Sequence, residues 1–290
     1  MISTETNGMP ITPQELIANL GDLPPLPQVA AQVLRIVADP DSTTVELQRV
    51  ISTDQALASQ ILKIANSAMF AMMREVKTLT QAIMTLGFST IKSVVIASSA
   101  KNLYNRGSAG LQERLLWEHA LATAMAGRAY GKLLRFPRTE EIFLAGLMHD
   151  IGKSVMGIKF PDRYGAMIRN VYNGQGDSLD MELEIFGFDH TMVGEALLRS
   201  WNLAPSIEQT VRWHHYPLET PPENRSLTAV VALGNQMALN QKIGIGSPES
   251  LALPTQQSLE ILNLTPEQLE NHEEAVLQAL EMDKSLLTEF

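Results

Sequence analysis

The 290-residue chain has no cysteine. Disulfides, thiolate metal sites and cysteine nucleophiles are therefore excluded, and any metal must be held by histidine, carboxylate, amide or water. Positive charge is in short supply: 22 Lys and Arg face 32 Asp and Glu, a formal net charge of −10. Broad attraction to DNA or RNA is disfavoured by that balance. The first residues, MISTETNGMP, lack the basic and apolar regions of a signal peptide, and apolar stretches such as SVVIASSA (93–100) are too short to cross a bilayer. The expectation is a cytoplasmic chain with no membrane partner. Alternating strand patterns, hairpin dipeptides, internal repeats and low-complexity segments are also missing. What remains is 45% apolar and 19% charged, an ordinary globular composition.

The periodicity that is present is helical almost throughout, so the fold class read from it is all-α, a two-lobed helical bundle. Residues 1–13 are polar and expected to fray. Residues 14–106 form an N-terminal lobe, 107–245 a second helical lobe, and 246–290 a C-terminal helical extension. In the first lobe Gly21 stops one short helix, Val29, Val33, Leu34 and Ile36 share a face of the next, and Leu57, Ile61, Ile64 and Ala65 recur at helical spacing in a third. Thr43 with Glu46 and Ser52 with Gln55 read as capping boxes. Gly87 splits two further helices, and 105–110 (NRGSAG) reads as a loop. Beyond it, helices are expected at 111–134, unbroken over 139–160, unbroken over 181–203, then at 205–215 and 226–242. Two short helices end the chain, the second opening at Thr265-Pro266.

Five of the six histidines fall on four of these helices: His119, His149, His190, and the pair His214 and His215. Imidazole and carboxylate suit zinc, iron, manganese and nickel, and a helical bundle can aim such ligands inward from facing helices. Asp150 follows His149 directly. Neighbours on a helix point about 100° apart, so the pair can flank one ion or straddle two. A single buried histidine is ordinarily a hydrogen-bonded core residue. Five of them in a cysteine-free chain, with an adjacent aspartate, bring ligation level with that reading. His272, in an acidic helix, reads as surface.

The run Leu144-Ala-Gly-Leu-Met-His-Asp-Ile-Gly-Lys153 resembles the signature of the HD superfamily of metal-dependent phosphohydrolases. Leu23-Pro-Pro-Leu-Pro27, Ile51-Ser-Thr-Asp-Gln55, Leu62-Lys-Ile-Ala-Asn-Ser67 and Ala82-Ile-Met-Thr-Leu-Gly87 narrow the likeness to the HDOD family, over about residues 16–240. That resemblance implies an all-helical fold with an HD-like C-terminal lobe and a bacterial signal-transduction role, in a family whose members are mostly regulatory. It implies His119 as the first ligand, His149 and Asp150 as the name-giving pair, and Lys153 as a helper of phosphate chemistry. His190, His214 and His215 correspond to the extra histidines of the HD-GYP cyclic-dinucleotide phosphodiesterases. Asn235 stands where the closing aspartate of the set is expected, and the glycine-tyrosine-proline signature is replaced by Tyr216-Pro-Leu-Glu-Thr-Pro-Pro222.

These departures set the functional expectation. Asn235 can ligate through its amide oxygen but brings no charge. Asp150 is then the one carboxylate matched to the set, with Asp189 and Glu118 nearby in sequence. The expected arrangement is one divalent ion (Fe, Zn, Mn or Ni) on His119, His149, Asp150 and Asn235; a second, on His190, His214 and His215, would be poorly compensated. The expected function is a regulatory HDOD module with weak or absent hydrolysis, acting through signalling protein partners. The alternative is a metal-dependent phosphohydrolase or phosphodiesterase for nucleotides or cyclic dinucleotides, with Asp150 and Lys153 as its catalytic groups; a sensor binding a nucleotide without turnover lies between. Smaller readings concern the methionine-rich 68–73, read as core with a partner surface as the alternative, and the segment around Gly87, read as part of the family's helical lobe rather than a helix-turn-helix, since Lys92 is its lone basic residue. Trp201 and Trp213, flanking the histidines, read as packing residues rather than a base-stacking wall.

Overall fold

The structure, a computed structural model, describes residues 26–67, 75–104, 111–244 and 248–282. The expected fraying of 1–13, the Gly21 helix stop, the 68–73 patch and the 105–110 loop lie outside them. Among the described residues every regular element is a helix, as the 3.6-residue periodicity requires. The N-terminal helices are α1 (Gln28–Ala38), α2 (Thr44–Ile51) and α3 (Gln55–Ala65), followed by the long α4 (Leu79–Tyr104). Thr43 and Glu46 form the expected reciprocal capping box on α2. The next cap differs from expectation: Asp54, not Ser52, accepts from Leu57 N at 3.0 Å. A carboxylate one residue from the helix start reaches the orphan amide better than a serine two residues further out.

Helix α4 joins the two parts of the molecule. It packs on α1, α2 and α3 on one side and on α6 (Thr139–Met148) and α7 (Ile151–Lys159) on the other. Gly87 breaks it, at φ 76° and ψ 165°, a conformation that glycine adopts without a Cβ penalty. The stretch Leu79–Ser98 is long and apolar enough by length and composition to cross a membrane, which the sequence reading did not anticipate. Half of it is buried inside the protein, and it contains the Gly87 break. Val94, Val95, Ile96 and Ala97 are consecutive and all buried. Four successive helical positions cover every face, so this turn of α4 is enclosed on all sides.

The remaining helices build the body around α5 (Leu111–Leu133), which packs on α6, on α12 (Arg225–Asn240) and on α14 (Pro266–Met282). Between them lie α8 (Pro161–Tyr172), α9 (Ser178–Phe186), α10 (His190–Ser200), α11 (Pro205–Trp213) and α13 (Ala252–Leu262). Helix α8 falls in a stretch left unassigned from the sequence. Two long expected helices are each broken. The 139–160 run stops at His149 and restarts at Ile151, with Asp150 at φ −103° and ψ 9°. The 181–203 run stops at Gly187, in the left-handed region, and restarts behind the Asp189 cap. Buried apolar side chains from Ala30 to Leu280 form one contiguous core, so the N-terminal helices and the histidine-bearing body share their interior.

Candidate metal centre

Each break in the helices delivers a functional side chain. At the α6–α7 junction His149 closes one helix and Asp150 opens the next. Asp150 makes no capping bond with its side chain, so both of its oxygens are available to the interior. Asp189 caps α10 by accepting from Thr191 N and Met192 N, which fixes His190 at the first position of that helix. Helix α7 can lie this close to α10 because residue 152 is glycine. A Cβ there would sit 1.9 Å from the His190 carbonyl oxygen. His214 follows the last turn of α11, His119 lies within α5 and Asn235 within α12.

The four imidazoles converge on Asp150, which is 1% exposed, and Asn235 lines the same cavity. On its Oδ2 side lie His149 Nε2 at 3.3 Å, His119 Nε2 at 3.7 Å and Lys153 Nζ at 2.8 Å. On its Oδ1 side lie His190 Nε2 at 3.2 Å and His214 Nε2 at 3.8 Å. His215 Nε2 is 3.3 Å from His190 Nε2. The expected residues thus form two donor groups, His119–His149–Asp150 and His190–His214–His215, each compact enough to hold an ion. His272 belongs to neither.

The rings are oriented from behind. His119 Nδ1 donates to the Ile243 carbonyl at 2.9 Å, His149 Nδ1 to Gly146 at 2.6 Å, and His214 Nδ1 to Val211 at 2.8 Å. A carbonyl only accepts, so each of these protons sits on Nδ1 and the Nε2 lone pair faces Asp150. His149 Nε2, His214 Nε2, Asp150 Oδ1 and Asn235 Oδ1 are buried with no hydrogen-bond partner among the described residues. Orphaned buried polar atoms are costly. The two Nε2 atoms flank Asp150 and Asn235 lines the same cavity; all four atoms are of ligand type and fit a divalent cation, and the outward Nδ1 bonds are the support that metal-binding imidazoles ordinarily have.

One member was missed from the sequence. Glu182 on α9 is fully buried and receives His190 Nδ1 at 2.6 Å, His190 N at 2.8 Å and the Tyr164 hydroxyl at 3.0 Å. It is the second carboxylate of the centre, one layer behind the ligands. The acids considered from the sequence serve elsewhere: Asp189 caps α10, and Glu118 receives Arg114 Nε at 2.7 Å toward the surface. A signal for Glu182 was present, since it lies three residues after Leu179 on the apolar stripe of its helix.

Burial and mutual repulsion hold His119, His214 and His215 neutral. His119 is pushed down to about 4 by burial and then by the neighbouring His149. His214 and His215 are held well below their ordinary value by burial, followed by repulsion from His215 and His190 respectively. His190 is the exception. Burial lowers it, but Glu182 beside it more than offsets this and raises it to about 9. Burial would raise the Asp150 carboxyl, yet its interactions with the adjacent His149 ring and the Lys153 ammonium hold it well below the carboxylate range. Burial likewise opposes the Lys153 ammonium, and Asp150 and Glu182 keep it above its usual value.

A cavity of about 450 Å³ opens over the centre, lined among others by His119, Asp150, Lys153, His215, Asn235 and the exposed Tyr172. Neither tryptophan lines it. Trp213 stacks under the Arg212 guanidinium at 4.3 Å, and Trp201 packs against the core.

The helical fold and the buried histidine–aspartate cluster define a class: proteins with an HD-type centre inside a helical bundle. Within it, the family model of the HDOD domain matches residues 23–217, and the chain belongs to the HDOD family. The match includes His119, His149, Asp150, Lys153, His190, His214 and His215; Asn235 lies beyond it. An uncharacterized protein of Treponema pallidum (strain Nichols) is 26% identical over 219 residues, 74% of this chain. The chain spans 42% of that relative's length. The crystal structure of an HDOD domain protein of unknown function from Geobacter sulfurreducens has a TM-score of 0.76 at 21% identity, covering 95% of this chain and 94% of that one. A candidate phosphohydrolase from Shewanella amazonensis SB2B has a TM-score of 0.72 at 25% identity, covering 93% and 97%.

Proposed function

We propose that the chain is a regulatory HDOD module that holds a divalent metal ion in the His/Asp centre, hydrolyses phosphoesters weakly or not at all, and signals to protein partners from the cytoplasm. The observation that carries this reading is the cluster of orphaned donor atoms around Asp150, next to an amide at 235 where an additional acid would be needed for strong charge compensation. His119, His149, Asp150, His190, His214, His215 and Asn235 are the residues that would hold iron, zinc, manganese or nickel. A bound divalent ion supplies Lewis acidity and lowers the pKa of a coordinated water. The protein's own groups orient and hold charge. Asp150 presents one oxygen to each donor group, the backbone carbonyls and Glu182 fix the rings, and Lys153 holds a positive charge at the cavity floor where an anionic ligand would rest.

The second reading is a working phosphohydrolase or phosphodiesterase. Two features favour it: the retained Asp150–Lys153 pair beside a cavity of about 450 Å³, and the likeness to the Shewanella protein. The net charge of −10 argues against nucleic acid as the ligand in either reading. Elemental analysis of the purified protein beside a His149→Ala, Asp150→Ala double variant tests the metal. Turnover of a nitrophenyl phosphodiester, nucleotides and cyclic dinucleotides separates the two readings. Bound metal that the double variant loses, with no steady turnover, is the expected result. Turnover that the double variant abolishes overturns the regulatory reading, and absence of metal after soaking overturns both.

A further inference from the structure

The two oxygens of Asp150 are not equivalent. Oδ2 is bonded by the Lys153 ammonium at 2.8 Å, while Oδ1 has no hydrogen-bond partner among the described residues. Lys153 is three residues after Asp150, in the first turn of α7, and only 8% exposed. Its charge is therefore built into the Oδ2 side, beside His119 and His149. On the Oδ1 side no lysine or arginine is built in: His190 Nε2 lies 3.2 Å from Oδ1, Glu182 stands directly behind that ring, and a metal on Nε2 displaces its proton. The sequence alone suggested the opposite bias, with the His190 group the poorly compensated one, because Glu182 was not recognised.

We propose that the Lys153 ammonium takes the place of a second metal ion, so that the centre accepts a single divalent cation, on His190, His214, His215 and Asp150 Oδ1. The proposal rests on the metal-binding reading above and adds the number and side of the ion. Formal charge decides it. With neutral imidazoles, one divalent ion and Lys153 face the three carboxylates Asp150, Glu182 and, on the cavity wall, Asp177, and the set is neutral. A second divalent ion would leave +2 in a site whose ligands are almost wholly buried. Unpaired charge of that size is strongly disfavoured away from water. Either of two changes halves the excess charge that a second ion would leave, from +2 to +1: removing the lysine charge, or adding a carboxylate at 235.

The test is metal stoichiometry by equilibrium dialysis against zinc or manganese, followed by elemental analysis. Wild type is expected to take one equivalent, and both Lys153→Met and Asn235→Asp are expected to take two. His214→Ala is expected to cost the wild-type ion more affinity than His119→Ala. Circular dichroism confirms that each variant is folded, and Asn235→Asp keeps the test alive if Lys153→Met is not. Two equivalents in wild type overturn the proposal. So do folded variants that both remain at one, or a larger loss with His119→Ala. A wild type that takes no metal is a distinct result, which overturns the metal-binding reading and the proposal together.

Discussion

Glu182 offers the sharpest separation between fold and site. Its carboxylate is fully buried and holds three donors: the Tyr164 hydroxyl, the His190 amide and His190 Nδ1. Glu182→Gln keeps the shape. The amide oxygen can accept from His190, and the amide nitrogen can donate to a rotated Tyr164 hydroxyl. What it removes is the negative charge behind the ligand ring. Partners of this kind are worth about 10- to 100-fold in metal affinity, or about 1.4 to 2.8 kcal/mol at a tenfold per 1.4 kcal/mol. Glu182→Ala removes all three acceptor contacts and leaves buried donors unpaired, at about 1 to 3 kcal/mol each; a total loss of about 3 to 9 kcal/mol of stability is expected if the site does not admit water. The assay pairs urea unfolding of the metal-free proteins with zinc titration against a competing chelator. The expected pattern is a Gln variant near wild-type stability with weakened zinc binding, and an Ala variant damaged in both. A folded Gln variant that binds zinc within about twofold of wild type would refute the orienting role assigned from this geometry.

Two further outcomes follow from the same packing. Gly152→Ala places a methyl 1.9 Å from the His190 carbonyl oxygen, which is backbone and cannot rotate away. Helix α7 must then separate from α10, at about 3 kcal/mol or more, and a urea midpoint unchanged from wild type would show that the two helices are not in this contact. Acid is expected to destabilise the metal-free protein from near neutrality. His119, at about 4, and His214 and His215, held lower than usual, bind fewer protons folded than unfolded, so their contribution is present above about pH 6.5 and lost as pH falls below it. His190, raised to about 9, acts oppositely: its contribution is complete below about pH 6.5 and fades as pH rises through 9. Unfolding free energies measured in chelator should therefore fall between pH 6.5 and 4, less so in His119→Gln, and a flat profile would contradict neutral buried imidazoles.

How much of this was legible in the chain depends on which interactions set each feature. The Thr43–Glu46 cap, the Gly87 break and the buried stripe Leu57, Ile61, Ile64 and Ala65 are local, and local pattern located all three. The interruption at His149-Asp150 is different. The apolar run continues through it, no proline or cap marks it, and the break is fixed by what Asp150 meets from α5, α10 and α11. The gathering of His119, His149, His190, His214 and His215 could be anticipated, because residue type and clustering are visible along a chain. The division of labour among them could not, because it depends on which side of Asp150 each ring approaches. Glu182 shows why. It touches His190 across eight residues of sequence and a helix break, and nothing in its neighbours distinguishes it from a surface glutamate except the stripe it shares with Leu179. An acid on an apolar stripe is the feature to look for in such chains, since a buried charge persists only where something pairs with it. Here the pairing reaches from Tyr164 through Glu182 to His190, and so ties the packing of α8 and α9 to the chemistry of the centre.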